Sequence, residues 1–225
     1  MSMVDMSAET KVRWGMVIDL RKCIGCGACS LVCSQTNKIP YFLWRRVIEC
    51  GVSGPPQRQR MAIPMSCMHC SQPPCLEVCP ATATYRRPDG IVDIDTERCV
   101  GCGYCIVACP YLARSIMYNN SAEAESSATP KEKAEGSKMN RIGVSSKCNF
   151  CIRRIDAGLA KGLQPGIDND ASPACVISCC AGALSFGNLD DPESAVAQLL
   201  RENRVSCLQE ELGTGPSVFY ILEQT

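Results

Sequence analysis

The stretch that decides the fold is Cys23-Ile-Gly-Cys26-Gly-Ala-Cys29-Ser-Leu-Val-Cys33, in which four cysteines are separated by two, two and three residues. The same spacing returns in a second run along the chain. Two looser groups complete the pattern, so that sixteen of the nineteen cysteines form four groups of four. The three further groups are Cys67-x2-Cys70-x4-Cys75-x3-Cys79, Cys99-x2-Cys102-x2-Cys105-x3-Cys109, and Cys148-x2-Cys151 followed after a gap by Cys175-x3-Cys179.

This spacing predicts iron–sulfur ligation. A cubane [4Fe–4S] cluster needs four thiolates at tetrahedral corners, and a tight loop with two residues between ligands can supply three of them. In bacterial two-cluster ferredoxins the last cysteine of such a run ligates the other cluster, and a proline follows it. The first and third groups match that run in every spacing, and Pro110 follows the third. We therefore predict four [4Fe–4S] clusters as cofactors and no catalytic residues.

Disulfides, structural zinc and free buried thiols are the alternatives for so many cysteines. Cysteines two residues apart in a tight loop are poor disulfide partners, and Met1–Thr10 is not expected to be a secretory signal. Zinc ribbons use two C-x2-C pairs, which the arrangement of three cysteines followed by one does not suit. Sixteen cysteines in register are not expected to be free thiols.

Glycines between the cysteines favour loops that wrap closely around a cluster. Gly25, Gly27, Gly101 and Gly103 lie between the predicted ligands. Glycine permits the unusual backbone angles and the close approach that such a loop needs. The backbone N–H groups of the loop can then point at the sulfurs and stabilise their negative charge.

Three cysteines and one histidine fall outside the sixteen predicted ligands. Cys180 directly follows Cys179 and is an alternative ligand to it, although the x3 interval favours Cys179. Cys50 and Cys207 are expected to be free and buried. His69, the only histidine, is expected to lie near a cluster at most and not to bind its iron.

Charge and hydropathy exclude two classes of function. The chain carries 23 basic and 23 acidic residues, without the basic excess that nucleic-acid binding needs. No stretch approaches the roughly 20 apolar residues of a membrane span. We expect a cytoplasmic protein, or one exported in folded form with a signal-bearing partner. Six basic residues near the cysteines could either be solvated or neutralise anionic clusters: Arg21, Lys22, Arg98, Lys147, Arg153 and Arg154.

The residues around the cysteines predict short strands and helical turns. Each of the two regular runs follows a short apolar segment that is typical of a strand. One strand is predicted to begin at Met16, a second to span Ile91–Ile94 and a third to span Ala183–Phe186. Tyr85–Arg87 is predicted to pair with Ile91–Ile94 in a hairpin that turns at Pro88-Asp89-Gly90. The predicted helical segments are Ala28–Val32, Tyr104–Ala108 and an amphipathic helix in Asp191–Asn203. Residues 119–140 are polar and of low complexity, which predicts a mobile insertion.

The order of the four groups and the residues between the cysteines resemble a known family. The sequence is similar to the iron–sulfur subunits of dimethyl sulfoxide reductase-type molybdopterin complexes, including the polysulfide, tetrathionate, arsenate and sulfite types. The likeness spans residues 14–118 and 147–222. It rests on Cys67-Met-His-Cys70-Ser-Gln-Pro-Pro-Cys75, Cys109-Pro-Tyr111, Lys147-Cys-Asn-Phe-Cys151-Ile-Arg-Arg and, near the end, Glu210-Glu-Leu-Gly-Thr214 with Phe219-Tyr220. Ser34 and Cys180 stand where the simple ferredoxin run has proline.

The resemblance implies an α+β fold of two pseudo-symmetric ferredoxin-like lobes, with nested connectivity and loop-rich extensions. The outer lobe would comprise residues 14–50 and 141–190, and the inner lobe residues 60–118. The insertion would span 119–140, and the C-terminal extension 191–225. The resemblance also implies a large catalytic subunit holding a molybdenum or tungsten pterin and a membrane subunit handling quinone. The alternative is a free-standing polyferredoxin that serves several oxidoreductases.

Within these lobes, the geometry of the run predicts that ligands are shared between groups. The first three cysteines wrap one cubane, and a helical turn then carries the x3 cysteine toward the neighbouring cluster. The expected outer sets are Cys23, Cys26, Cys29 with Cys179, and Cys148, Cys151, Cys175 with Cys33. The expected inner sets are Cys67, Cys70, Cys75 with Cys109, and Cys99, Cys102, Cys105 with Cys79.

Overall fold

The computed structural model describes residues 12–52, 59–118 and 142–222, and the predicted insertion at 119–140 lies outside these ranges. Strands and helices are both present. The strands are β1 Trp14–Asp19, β2 Arg46–Val52, β3 Gln59–Met65, β4 Thr84–Arg86, β5 Val92–Ile94, β6 Ser115–Ile116, β7 Ser145–Ser146, β8 Leu184–Asn188, β9 Val205–Ser206 and β10 Val218–Ile221. The α-helices are α1 Ala28–Asn37, α2 Pro74–Glu77, α3 Tyr104–Val107, α4 Ile152–Leu159, α5 Ala174–Ile177 and α6 Ala195–Glu202, and Asn169–Ala171 and Glu210–Leu212 are 3₁₀ helices.

The largest sheet has the strand order β8-β1-β10-β9. Strand β1 pairs antiparallel with β8 and parallel with β10, in a register that sets Met16 opposite both Phe186 and Val218. All six residues of β1 are buried, because both faces of the sheet are covered. Met16 faces the main core, whereas Val17 packs in a smaller apolar cluster with Val196 of α6. The two side chains point to opposite faces of the sheet because side chains alternate along a strand.

Most predicted elements are confirmed, with shifted ends. The β4–β5 hairpin pairs Arg86 with Val92. Helix α6 begins after Ser194, whose hydroxyl accepts a hydrogen bond from the Ala197 N–H at 3.1 Å, and it ends at Glu202. Helix α1 is longer than the predicted turn because it continues to Asn37, and Lys38 ends it in the left-handed conformation.

The β2–β3 hairpin was not predicted. Its register runs from Arg46 opposite Met65 to Val52 opposite Gln59. The alternation of apolar and polar residues is weak in both strands, and Gly51 and Pro64 interrupt it. The hairpin follows Trp44 and Arg45, and both of these side chains are buried in the interior of the protein.

Cysteines make up a substantial part of the core. The main cluster of buried residues includes seven of them, together with a short column of aromatic rings. In that column Trp14 stacks on Phe186 at 5.6 Å, and Phe150 meets Phe186 edge-on at 5.2 Å. Cysteines thus occupy core positions that large aromatic side chains would otherwise fill, in agreement with the low aromatic content of the sequence. Among the residues that the structure describes, no helix is long and apolar enough to cross a membrane.

Candidate iron–sulfur centres

The structure gathers twelve of the predicted ligands around three cavities, each lined by four cysteines. We name them site B (Cys33, Cys148, Cys151, Cys175), site C (Cys67, Cys70, Cys75, Cys109) and site D (Cys79, Cys99, Cys102, Cys105). Each cavity encloses about 290 to 330 Å³ of space, part of which opens to solvent. Every one of the three draws cysteines from two different groups of the sequence.

The remaining four predicted ligands are Cys23, Cys26, Cys29 and Cys179, which we name site A. Burial raises the pKa of the Cys23 thiol, and the nearby thiols of Cys179 and Cys26 add to this effect. Cys29 interacts electrostatically with Cys23 as well as with Cys175 of site B. Interaction with Cys26 raises the pKa of the Cys180 thiol, so Cys180 is also a neighbour of this site.

None of the nineteen cysteines, all of which lie in the described ranges, forms a disulfide. In the described part of the sequence, no group of three or more His, Cys, Asp or Glu side chains is arranged to hold a single metal ion. At sites B, C and D the cysteines instead line cavities. Cys50 lies on β2 and Cys207 follows β9, and neither lines one of the three cavities. Both are half-buried, so the expectation that they are fully buried is wrong.

The loops of the first and third groups have similar backbone angles at their glycines. Gly25 and Gly101 share a φ of 71°, and Gly27 and Gly103 have φ values of 72° and 79°. These left-handed angles favour glycine, and α1 and α3 begin directly after the second glycine of each loop. The unusual backbone angles predicted for these four glycines are thus confirmed.

The second and fourth groups also resemble each other. Helices α2 and α5 have four residues each, follow Pro73 and Pro173, and carry Cys75 and Cys175 at their second position. Each helix leads to the x3 cysteine of its group. The sulfur of Cys79 accepts a hydrogen bond from the Ala83 N–H at 3.2 Å, and that of Cys179 accepts one from the Ala183 N–H at 3.3 Å. Backbone donors thus contact the x3 sulfurs of both groups.

Arg45 is the largest fully buried side chain and lines site B. Its Nη2 lies 3.6 Å from the Cys175 sulfur and 3.1 Å from the Met16 sulfur. Its Nε and Nη1 have no hydrogen-bond partner among the described residues. Desolvation opposes its charge, but electrostatic interaction with Cys175 and Cys148 raises the pKa of Arg45 above its ordinary value.

Two further cations are buried beside the cysteines. Arg114 lines site C, where its Nη2 donates to the Cys75 sulfur at 3.0 Å and its Nη1 to Thr84 Oγ1 at 3.1 Å. The Nζ of Lys147 donates to the backbone carbonyl of Cys148 at 2.9 Å and to that of Val92. Within the described residues, none of the three buried cations forms an ion pair with a carboxylate.

The buried cations and the cysteines together fit an anionic cluster. A buried charge is costly unless an opposite charge compensates it, and the unpartnered donors of Arg45 point to a missing acceptor. Burial raises the pKa of Cys70 and of Cys151 to about 12, so both thiols resist ionisation in the protein alone. The positive charge of bound iron and of the buried side chains would favour the thiolate form that ligation requires.

The sequence did not reveal the two arginines, because neither lies inside a cysteine group and the spacing of the cysteines carries no signal for them. Of the six basic residues considered from sequence, only Lys147 is buried. Arg21 is exposed and pairs with Asp19 at 2.8 Å. His69 is fully buried and stacks on Phe150 at 3.8 Å, and its Nδ1 accepts a hydrogen bond from the Val92 N–H at 3.1 Å.

Comparison with known proteins agrees with this chemistry. Residues 59–129 match a family model described as a 4Fe-4S dicluster domain, and residues 14–35 match a 4Fe-4S binding domain. The sequence is 35% identical to the arsenate respiratory reductase iron–sulfur subunit of Shewanella sp. strain ANA-3, over 93% of this chain and 96% of that protein. It is 36% identical to a polysulfide reductase chain of Wolinella succinogenes, over 93% of this chain and 94% of the relative.

The protein is a member of the family of iron–sulfur subunits of the dimethyl sulfoxide reductase type. A further relative is an Hdr-like menaquinol oxidoreductase iron–sulfur subunit of Archaeoglobus fulgidus, 37% identical over 93% of this chain and 83% of that protein. In this iron–sulfur subunit the two family models cover the first three cysteine groups. The fourth group lies outside both matches, and it is the structure that brings Cys148, Cys151 and Cys175 together with Cys33.

Proposed function

We propose that this subunit relays electrons through four [4Fe–4S] clusters and performs no catalysis itself. The partners would be a catalytic subunit with a molybdenum or tungsten pterin and a quinone-linked membrane subunit or another redox partner. The observation that carries the proposal is the convergence of four cysteines at each of sites B, C and D, every time from two sequence groups. One-electron exchange is the chemistry that such clusters supply when bound.

The ligands of the four clusters would be the four cysteines of each of sites A, B, C and D. The electrostatic interaction between Cys23 and Cys179 supports the crossed set at site A. At site B, Cys33 interacts with Cys148, Cys175 and Cys151, which supports its assignment there rather than to site A. At site C, Cys70 interacts with Cys67, Cys75 and Cys109.

Contacts between the sites support a single row in the order A, B, C, D. Cys29 of site A interacts with Cys175 of site B, and Cys148 of site B interacts with Cys67 of site C. Arg114 donates a hydrogen bond to Cys75 of site C and also interacts electrostatically with Cys105 of site D. Cys26 and Cys102, at the two ends of the row, are exposed. Each end would therefore be accessible to a separate redox partner.

The proposed row corresponds to two ferredoxin-like lobes in nested order. Residues 14–50 with 141–190 would form the outer lobe around sites A and B, supported by the pairing of β1 with β8. Residues 60–118 would form the inner lobe around sites C and D, supported by the β4–β5 hairpin. The similar glycine loops and the similar helices α2 and α5 support the pseudo-symmetry.

The iron content tests the proposal directly. Protein purified anaerobically in its native complex is expected to contain about sixteen iron atoms per chain, four for each cubane. Iron, acid-labile sulfide and zinc would be measured on the same sample. A count near eight in fully loaded protein, or stoichiometric zinc, contradicts the four-cluster assignment.

The partner assignment needs a separate experiment. Gel filtration of the native protein is expected to give a complex that contains a large pterin-binding subunit, which mass spectrometry and molybdenum or tungsten analysis would identify. Elution as a monomer with all four clusters would instead favour the free-standing polyferredoxin.

A further inference from the structure

We propose that the three buried cations Arg45, Lys147 and Arg114 raise the reduction potentials of the two interior clusters, at sites B and C. This inference rests on the proposed function, since it requires clusters at those sites. The structure describes only one buried acidic side chain, Asp19, and it pairs with Arg21 outside the cavities. The fixed charge beside the interior sites is therefore positive without a compensating carboxylate among the described residues.

The position of Arg45 assigns it mainly to site B. Among the cysteines it interacts most strongly with Cys175 and Cys148 of that site, and then with Cys29 of site A. Its side chain is 1% exposed, so water screens its charge very little. Reduction adds one negative charge to a cluster, and a nearby unscreened cation stabilises the reduced state more than the oxidised one.

Arg114 occupies the corresponding position at site C. It interacts most strongly with Cys75 and Cys67 of that site, and then with Cys105 of site D. Lys147 lies where sites B and C meet, with its ammonium group held between the carbonyls of Cys148 and Val92. Each arginine thus contacts one interior site directly and interacts more weakly with the terminal site next to it. For Arg45 these are sites B and A, and for Arg114 they are sites C and D.

Substitution of each arginine is expected to lower the cluster potentials in opposite orders along the row, a pattern that a purely structural role would not produce. In the intact complex, Arg45→Met is expected to shift the site B signal to lower potential, the site A signal by less, and the site D signal not at all. Arg114→Met is expected to lower the potential at site C most and at site D less, with site A unchanged. Potentials would be measured by EPR-monitored redox titration, with each signal assigned through a Cys→Ser variant of its site.

Matched variants separate charge from packing. Arg153→Met removes an exposed cation two residues from Cys151, and no potential is expected to change. Arg45→Lys keeps the charge and is expected to keep the site B potential close to that of the native protein. Equal potentials in Arg45→Met and the native protein, or an Arg45→Lys potential as low as that of Arg45→Met, would overturn the inference.

Iron analysis of the same samples distinguishes this inference from the proposed function. If Arg45→Met loses the site B iron and Arg45→Lys retains it, the requirement for positive charge at site B is supported. Loss of that iron in both variants overturns the charge-based role. Native protein without about sixteen iron atoms would contradict the four-cluster relay itself, whereas full iron with unshifted potentials would contradict only the role of the cations.

Discussion

Replacement of Cys33 by serine is expected to abolish or alter the same EPR signal as replacement of Cys148, and to leave the signal that depends on Cys26 nearly unchanged. Cys33 lies four residues after Cys29 in sequence, yet it lines the site B cavity with cysteines from the distant fourth group. The amide Nδ2 of Asn37 lies 3.6 Å from the Cys33 sulfur and 4.0 Å from the Cys151 sulfur, and so links the first and fourth groups at this site.

The expected loss in the Cys33 variant is one cluster, or about four of sixteen iron atoms. If serine is accepted as a weaker ligand, the iron remains, and the site B signal changes in shape or potential instead. Cys179→Ser is a less decisive variant, because Cys180 lies beside Cys26 and could take over as a ligand at site A. A common signal altered by both Cys33→Ser and Cys26→Ser would contradict the crossed pairing and, with it, the nested lobes.

Gly101→Ala is expected to prevent assembly of site D. A Cβ atom at Gly101 would lie 2.0 Å from the carbonyl oxygen of Gly143, a distance that no side-chain rotation can relieve because the backbone fixes the position of both atoms. The left-handed φ of 71° adds roughly 1–2 kcal/mol of strain for any other residue. The loop that holds Cys99 and Cys102 must therefore move away from its native position.

Gly103→Ala is the matched control for this variant. Gly103 has a similar φ of 79°, but a Cβ atom there would have nothing within 4 Å, so only the backbone strain applies. We expect Gly103→Ala to keep its iron with a small loss of thermal stability. Gly101→Ala should instead lose about four iron atoms together with the site D signal. Equal iron content and melting temperature in the two variants would show that the contact with Gly143 does not constrain the loop.

The cysteine spacing predicted the chemistry of this subunit because cluster ligation is a local requirement. A tight loop with two residues between ligands has few other uses, and Gly25 and Gly101 adopt the left-handed angles expected of such a loop. The short strands before the loops could be predicted for the same reason, since apolar residues such as Met16 and Ile91 are confined to brief segments beside the cysteines.

The parts that sequence did not predict depend on contacts between distant residues. Arg45 and Arg114 are ordinary basic residues in sequence, and only the folded protein removes them from water and sets them beside Cys175 and Cys75. The hairpin of β2 and β3 was missed because its alternation is weak. Pairing across the strands rather than local propensity defines it, as is common for β structure.

The place of β10 in the sheet has a consequence for biosynthesis. Of the strands that the structure describes, β10 comes last in the sequence, yet it lies between β1, which comes first, and β9. Strand β1 can therefore pair with β10 only after about 200 further residues have been translated, and pairing over such a separation is intrinsically slow. The cysteines of sites C and D are all translated by residue 109, whereas sites A and B need Cys175 or Cys179. Maturation would thus proceed from the middle of the sequence outward, and the β10 strand would close the sheet last.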